Sequence, residues 1–343
     1  MLRSQRPLSE AELTDVLSSL GEVRAARELS GGTFSSVQLV ELVGGRRIVV
    51  KTSVPDSPDH AALLTYEHDL ARVEADMLSL LGTVAGVPTA PLLLEDFSRS
   101  RVEVDVVVSD FLEGVPWDRA EGLLPDAVAA AGRGVGSIFA RLHELTNDTF
   151  GYPAAGFALG GRTWDEAFSS VVRALLADAA RFGVEVRGDE LLGLLARGQR
   201  ALAEVTRPSL VHNDLWPGNV LLEPASGRVL GIVDLERMLY ADPLMDFVGH
   251  NPFNMGELAP DYVAGYLEAG GDLPLDADAG TATGLTALAD QRVTLYRLTV
   301  LTVMLVEVVP RGFHGDWLAP HVEHCLANRD QVLAHADATF PAA

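Results

Sequence analysis

Within the stretch LVHNDLWPGNVLLEPASGRVLGIVDLERMLYADPLMDF, from Leu210 to Phe247, three polar groups recur at telling positions. Asp214 follows His212 and Asn213, Asn219 comes five residues later, and Asp234 lies beyond a short apolar interval. An amide and a carboxylate are hard oxygen donors. They suit Mg²⁺, which keeps phosphate oxygens in its shell. A separate carboxylate can orient and deprotonate an attacking hydroxyl. Asn219 and Asp234 as ligands, with Asp214 as base, are therefore a set suited to phosphoryl transfer.

That chemistry requires the three groups to meet. Val220-Leu221-Leu222 and the run Val229 to Val233 are strand-like and flank the turn-forming segment Glu223 to Arg228. An antiparallel hairpin centred on Ser226-Gly227 leaves Asn219 and Asp234 equidistant from its centre, hence at the same open end. Asp214 lies in the loop just before that end.

The rest of the chain must support this hairpin. Residues from about Glu22 to Leu112 read as β-rich with one helix, and residues after about Trp117 as mostly helical. Ser9 and Glu12 have capping-box spacing ahead of a first helix. Val37–Val40 and Arg47–Lys51 read as strands around Gly44-Gly45. Apolar spacing at Leu70, Val73, Met77 and Leu80 predicts a helix from about Leu63 to Leu81. Val102–Val108 reads as a further strand. Helices are expected at about 125–145, 164–182, 189–204, 258–269, 283–309 and 316–336. Asp242-Pro243, ahead of Asp246, reads as a helix start with Asp242 as N-cap and Pro243 at the first helical position.

Composition narrows the class. The 343 residues carry 26 Lys+Arg and 48 Asp+Glu, a formal charge of −22, with 48% hydrophobic residues. Enough apolar surface exists to bury a core, which excludes a disordered acidic chain. A nucleic-acid partner is not expected, because such binding rests on cationic side chains neutralising phosphates. The most apolar stretch, Val293–Val309, carries Arg297 and Glu307 and is short for a bilayer span, so a buried helix and no membrane association are expected. The first 30 residues lack an apolar signal-type core, and Cys325 is the single cysteine. A cytoplasmic location is the expectation.

The pattern H-x-D-x₄-N, with an aspartate after a short hairpin, resembles the aminoglycoside phosphotransferase and choline kinase-like families, small-molecule relatives of the protein kinases. The resemblance covers nearly the whole chain. It implies an α+β, two-lobed, protein-kinase-like fold. A small β-rich nucleotide-binding lobe would span residues 1–112, with a hinge near 109–114. A helical lobe, 113–343, would hold the catalytic loop, metal site and acceptor pocket. It implies Asp214 as catalytic base, Asn219 and Asp234 as Mg²⁺ ligands, and His212, Asp242 and Asp246 as structural support.

Such a fold also needs a loop over the phosphates, a strand lysine and a helix glutamate. The small residues around Gly31, Gly32, Thr33, Phe34, Ser35 and Ser36 could bring backbone N–H groups to phosphate oxygens. They depart from the protein-kinase G-x-G-x-x-G pattern. Lys51 ends an apolar strand as the family's phosphate-contacting lysine does. The resemblance favours Glu74 as its partner, with Glu67, seven residues earlier and near the same predicted helix face, as the other candidate. Ser109 and Phe111 match the adenine-binding hinge. Trp216, two residues after Asp214, and Glu236 are candidate acceptor contacts. Trp164 and Trp317 are expected in the core, and His321, His324 and Cys325 on an ordinary helix without metal.

The expected activity is ATP-dependent phosphorylation, with GTP as the other nucleotide, of a hydroxyl on an aminoglycoside-like or other antibiotic or natural product. The acidic balance would suit a cationic acceptor. The sequence leaves open monomer or homodimer. His212-Asn213-Asp214 and Asp234-Leu235-Glu236 are also similar to choline kinases, and Asp214-Leu215-Trp216 to fructosamine kinases, so sugar, fructosamine or choline-type acceptors are the alternative. A nucleotide-binding regulator on an inactive kinase-like fold is the non-enzyme alternative.

Overall fold

A computed structural model of the chain describes residues 6–29, 35–54 and 63–340. The first lobe begins with helix α1 (Glu10–Val16), whose start is fixed by the expected capping box between Ser9 and Glu12. Strands β1 (Val23–Leu29), β2 (Ser36–Leu42) and β3 (Arg47–Ser53) follow. After them come helix α2 (Leu70–Leu81) and strands β4 (Leu92–Asp96) and β5 (Asp105–Asp110). The five strands form one antiparallel sheet in the order β1-β2-β3-β5-β4. One face of this sheet packs with α1 through Val40, Ile48, Val50, Val106, Leu13 and Leu17. Alternation along β3 places Ile48, Val50 and Thr52 in that interior, which leaves Val49 and Lys51 on the face toward the cleft.

Helix α2 starts at Leu70, not near Leu63. Asp69 adopts left-handed φ/ψ at its N-terminus. The apolar spacing that predicts the helix starts only at Leu70, and nothing upstream continues it. Glu67 therefore sits ahead of the helix and does not share a face with Glu74.

The second lobe contains β6 (Val115–Pro116), α3 (Pro125–His143), β7 (Phe150–Gly151), β8 (Gly160–Gly161), α4 (Trp164–Phe182), α5 (Gly188–Arg197) and α6 (Gln199–Leu202). It continues with β9 (Ser209–Val211), β10 (Val220–Glu223), β11 (Arg228–Ile232), β12 (Leu239–Ala241), α7 (Leu244–His250), α8 (Pro260–Glu268), α9 (Ala287–Val306) and α10 (Leu318–Thr339). The mixed architecture, a small antiparallel-sheet lobe and a helical lobe, is the two-lobed α+β arrangement expected. Helices α3 and α8 come close because Gly136 and Gly265 carry no side chains. A Cβ on Gly136 would lie 2.1 Å from the Tyr262 carbonyl.

The hairpin β10–β11 forms, with its centre between Ala225 and Ser226. The pairs are Glu223 with Arg228 and Leu222 with Val229, and a bulge then shifts the register so that Val220 faces Ile232. That bulge is invisible to a symmetric count, yet it still brings Asn219 opposite Val233, whose N–H donates to the Asn219 carbonyl at 3.1 Å. Helix α7 begins one residue later than expected, at Leu244. Asp242 still caps it, since its Oδ1 accepts from the Leu244 N–H at 3.1 Å. Trp164 is buried as expected, whereas Trp317 is half exposed, at the exposed start of α10. Among the described residues, no helix is long and apolar enough to cross a membrane.

Candidate active site

The two lobes enclose a cleft of about 1250 Å³, and the sequence-predicted groups converge in it. Its floor is the loop His212–Asn219. This loop is held from below by Asp246, whose side chain is fully buried. Its Oδ2 accepts from the His212 N–H at 3.1 Å and its Oδ1 from the Asn213 N–H at 2.7 Å. The His143 Nε2–H donates to the same carboxylate at 3.0 Å, and His143 Nδ1 lies 3.0 Å from the Tyr266 hydroxyl. Through this chain of bonds, the α3–α8 contact fixes the loop. Asp242 acts further out, accepting from Arg292 at 2.9 Å and from the Tyr296 hydroxyl at 2.8 Å. Both aspartates thus tie neighbouring segments together through hydrogen bonds.

His212 is buried and braces the loop against the hairpin. Its Nε2 lies 3.2 Å from the Val233 carbonyl and so carries the proton. Burial pushes its pKa down, which keeps the ring neutral. Asn213 adopts left-handed backbone angles and its Nδ2 donates to the Tyr152 hydroxyl at 3.1 Å. Asn219 Nδ2 donates to the Asp214 carbonyl at 2.8 Å. That bond occupies the amide nitrogen and leaves Oδ1 as the acceptor end.

Asp234 also has positive φ, at 67°. Such a conformation is uncommon for a residue with a Cβ and marks a site that its surroundings over-determine. Here it turns the carboxylate to Lys51. Lys51 Nζ lies 2.6 Å from Asp234 Oδ1, 2.8 Å from Glu236 Oε2 and 3.6 Å from Glu74 Oε2. The pairing of Lys51 with Glu74 is thus present, but Asp234 and Glu236 come closer. Oxygens of Glu74, Asp234 and Glu236 all lie within 4.8 Å of one another. Three carboxylates around one ammonium leave an excess of negative charge. Desolvation pushes Glu74 up to about 7, against the pull of Lys51. Desolvation likewise raises Glu236. It also opposes the charge on Asp234, but there Lys51 wins and holds the carboxyl below its usual range.

Glu236 therefore belongs with Lys51, on the side of the cleft facing β3, and does not point to an acceptor. Trp216 is exposed, and its indole lies against Gly218, where a Cβ would come within 2.2 Å of the ring. Ser109, the residue before the end of β5, lies opposite Val49 and lines the cleft. Phe111 lines it too, but its N–H already donates to the Arg47 carbonyl at 3.1 Å. The next residue, Leu112, has no backbone hydrogen bond among the described residues and lines the same wall. Ser36 begins β2, and Ser35, just ahead of it, pairs through its Oγ with Ser53 Oγ at 2.7 Å. Gly31, Gly32, Thr33 and Phe34 lie outside the described residues.

A second ionic group went unread in the sequence. Arg237 lies 3.8 Å from Asp214 Oδ2, 3.5 Å from Glu307 Oε2 and 4.0 Å from Glu67 Oε1. Arg311 pairs with Glu67 at 2.5 Å and with Glu307 at 3.2 Å. Glu67 thus pairs here and not with Lys51. Desolvation at the cleft floor pushes the Asp214 carboxyl up to about 7, while Arg237 opposes the shift. A carboxyl with that poise beside a hydroxyl is an effective proton acceptor near neutral pH. Arg237 follows Asp234 by three residues and could have been suspected. Glu307 and Arg311 come from the end of α9 and beyond, with no local pattern to mark them.

Comparisons agree with this geometry. The model of the phosphotransferase enzyme family matches residues 25–282. The 4-hydroxytryptamine kinase of Psilocybe cubensis is 23% identical over 260 residues, 68% of each chain. A solved structure from Ralstonia eutropha, provisionally designated an aminoglycoside phosphotransferase, superposes with a TM-score of 0.66 at 15% identity, covering 98% of this chain and 100% of that one. A protein from Thermobifida fusca, provisionally designated a fructosamine-3-kinase, gives 0.62 at 22% identity over 93% and 97%. An aminoglycoside phosphotransferase in ternary complex with AMP-PNP and hygromycin B gives 0.61 at 17% identity over 95% and 99%. The chain belongs to the phosphotransferase enzyme family and is a small-molecule kinase.

Proposed function

We propose that the protein transfers the γ-phosphoryl group of ATP to a hydroxyl of a small natural product, with Asp214 as catalytic base. The observation that carries this reading is the meeting of Lys51, Asp234, Asn219 and Asp214 along one cleft. Residues up to about 112 would hold the nucleotide and the helical lobe the acceptor. The adenine would lie against Ser109–Leu112, with the unengaged Leu112 backbone as its hydrogen-bonding edge. Phe111, whose N–H is taken, would offer only its carbonyl.

The donor set fits magnesium. Asp234 and the Asn219 Oδ1 are hard oxygens, and the carboxylate cluster around Lys51 carries surplus negative charge that a divalent ion would offset. Bound there, Mg²⁺ would neutralise charge on the phosphates. Lys51 would exchange part of its contact with Asp234 and Glu236 for phosphate oxygens. Asp214 would accept the proton of the acceptor hydroxyl as its oxygen bonds to the γ-phosphorus and the bond to the β–γ bridging oxygen breaks, releasing ADP. Positioning and charge supply most of the rate in such a reaction. His212, Asp242 and Asp246 would act only by holding the loop.

The acceptors named for the related proteins range from hygromycin B to hydroxytryptamine. An aminoglycoside-like acceptor is one end of that range. A coupled ADP-release assay with Mg-ATP against aminoglycosides, sugars, fructosamines, choline and hydroxylated aromatic amines tests the reading. Turnover that vanishes in Asp214→Ala supports it. Turnover that survives in that variant contradicts the role of Asp214.

A further inference from the structure

The wall of the cleft beyond Asp214 has an unusual character for a chain of such negative charge. From Ala289 to Val306, every residue of α9 is buried except Val300, Val303 and Met304. These three share one face, and Glu307 follows on it one turn later. All four line the cleft. Facing them are Phe168, Val171 and Leu175, one face of α4, which packs on α9. Glu307 ties this wall to the reacting end, because Arg237 bridges it to Asp214.

The charges here cancel locally. Glu307 is engaged by both Arg237 and Arg311, and Arg311 also holds the buried Glu67. At the rim, Asp118 stands beside Arg119, and both line the cleft. The surplus acidity inside the cleft sits instead around Lys51, on the side facing β3. Among the described residues, a polycation would therefore meet no run of uncommitted carboxylates past Asp214. It would have to displace arginines from Glu307, and burying its ammonium groups against Val300, Val303 and Met304 would be costly. A flat or compact apolar body would instead cover half-buried side chains, which favours binding in proportion to the area removed from water.

We propose that the acceptor is an alcohol or phenol on a compact apolar ring system, carrying at most one charge, seated on the α4–α9 wall with its hydroxyl at Asp214. The inference rests on the phosphotransferase reading for the hydroxyl's fate but not for the wall. It sets aside the polycationic acceptor that the whole-chain charge suggests.

Calorimetric titration of the full chain tests it, with 4-hydroxyindole and hygromycin B as probes, each with and without saturating Mg-AMP-PNP. The expected result is that hydroxyindole binds at least about tenfold more tightly than hygromycin B. Val303→Asp and Met304→Asp each weaken it several-fold, while the Mg-AMP-PNP affinity stays within about twofold. Met304→Gln, milder in shape, guards against a misfolded aspartate variant and should weaken binding in the same direction. Tighter hygromycin B binding, or hydroxyindole binding indifferent to all three variants, overturns the proposal. Failure of Mg-AMP-PNP to bind would instead count against the kinase reading, and the titrations without nucleotide would still decide the wall.

Discussion

The two ionic groups that line the cleft are built on opposite principles. Around Lys51, three carboxylates converge on one cation, so the group is short of positive charge. Around Arg237, carboxylates and guanidinium groups alternate: Asp214, Arg237, Glu307, Arg311, Glu67. Apart from Asp214 itself, that group balances, with two carboxylates against two guanidinium groups. The difference teaches which partner each side awaits. The first would be stabilised, on the proposed function, by an added cation carrying phosphate. The second is paired within itself and, on the proposed function, would hold one carboxylate, Asp214, at a fixed place and basicity.

Variants can break this contrast. The largest effect is expected on the unbalanced side. Asp234→Asn replaces a charged carboxylate, the proposed Mg²⁺ ligand and the closest partner of Lys51, with a neutral amide. It should lower kcat/KM by about 10²-fold or more and weaken Mg-nucleotide binding, measured by steady-state kinetics and calorimetry. An equal loss of nucleotide affinity in Asp214→Asn would erase the distinction between the two groups.

On the balanced side, the main effect of Arg311→Ala should be on stability. Glu67 has a fully buried side chain, and removing its 2.5 Å partner leaves a buried charge with the Leu64 N–H at 2.9 Å and Arg237 at 4.0 Å as its remaining support. A loss of about 3–5 kcal/mol in urea unfolding is expected. The double variant with Glu67→Gln should recover part of it. No recovery would mean that Arg311 stabilises mainly through its other contacts.

The pH profile sharpens the comparison further. In the proposed mechanism the base form of Asp214 is the active one, and its carboxyl is pushed up to about 7. Activity should therefore rise as pH increases through that value. Arg237 lowers the Asp214 pKa, so Arg237→Met should move the rising limb to higher pH. A limb that stays in place would show that another group controls it.

The smallest effect is expected at the loop's edge. Tyr152→Phe removes the 3.1 Å bond from Asn213 Nδ2. A loss of about 0.5–1.5 kcal/mol in stability, with activity down a few-fold, follows from one hydrogen bond. A collapse of activity would mean that Tyr152 touches the acceptor itself.

The legibility of the site in the sequence follows the same divide. His212, Asp214, Asn219 and Asp234 lie on one loop and one hairpin, so turn chemistry and strand patterning are enough to bring them together. Lys51 is readable because β3 is short and alternates cleanly. Glu67 misleads because it lies seven residues before Glu74, yet α2 starts between them at Leu70. The Arg237 group joins α7-proximal, α9 and pre-α2 segments, and no local period encodes that meeting. At Phe111 the sequence is silent for a different reason: a backbone N–H can be spent on the neighbouring strand, which side-chain identity does not reveal. The whole-chain charge says nothing of the cleft wall, where α9 alone exposes Val300, Val303 and Met304.

The most direct test of the account is single-turnover transfer from γ-labelled ATP, comparing the native chain with Asp214→Asn at equal, saturating Mg-nucleotide. With a ring-bearing alcohol as acceptor, the native chain should form a labelled phosphoester. The Asp214→Asn variant should bind the nucleotide normally and form that product about 10²–10⁴-fold more slowly. Transfer at an unchanged rate in the variant would contradict the assignment of Asp214 as the base and, with it, the contrast between the two halves of the cleft.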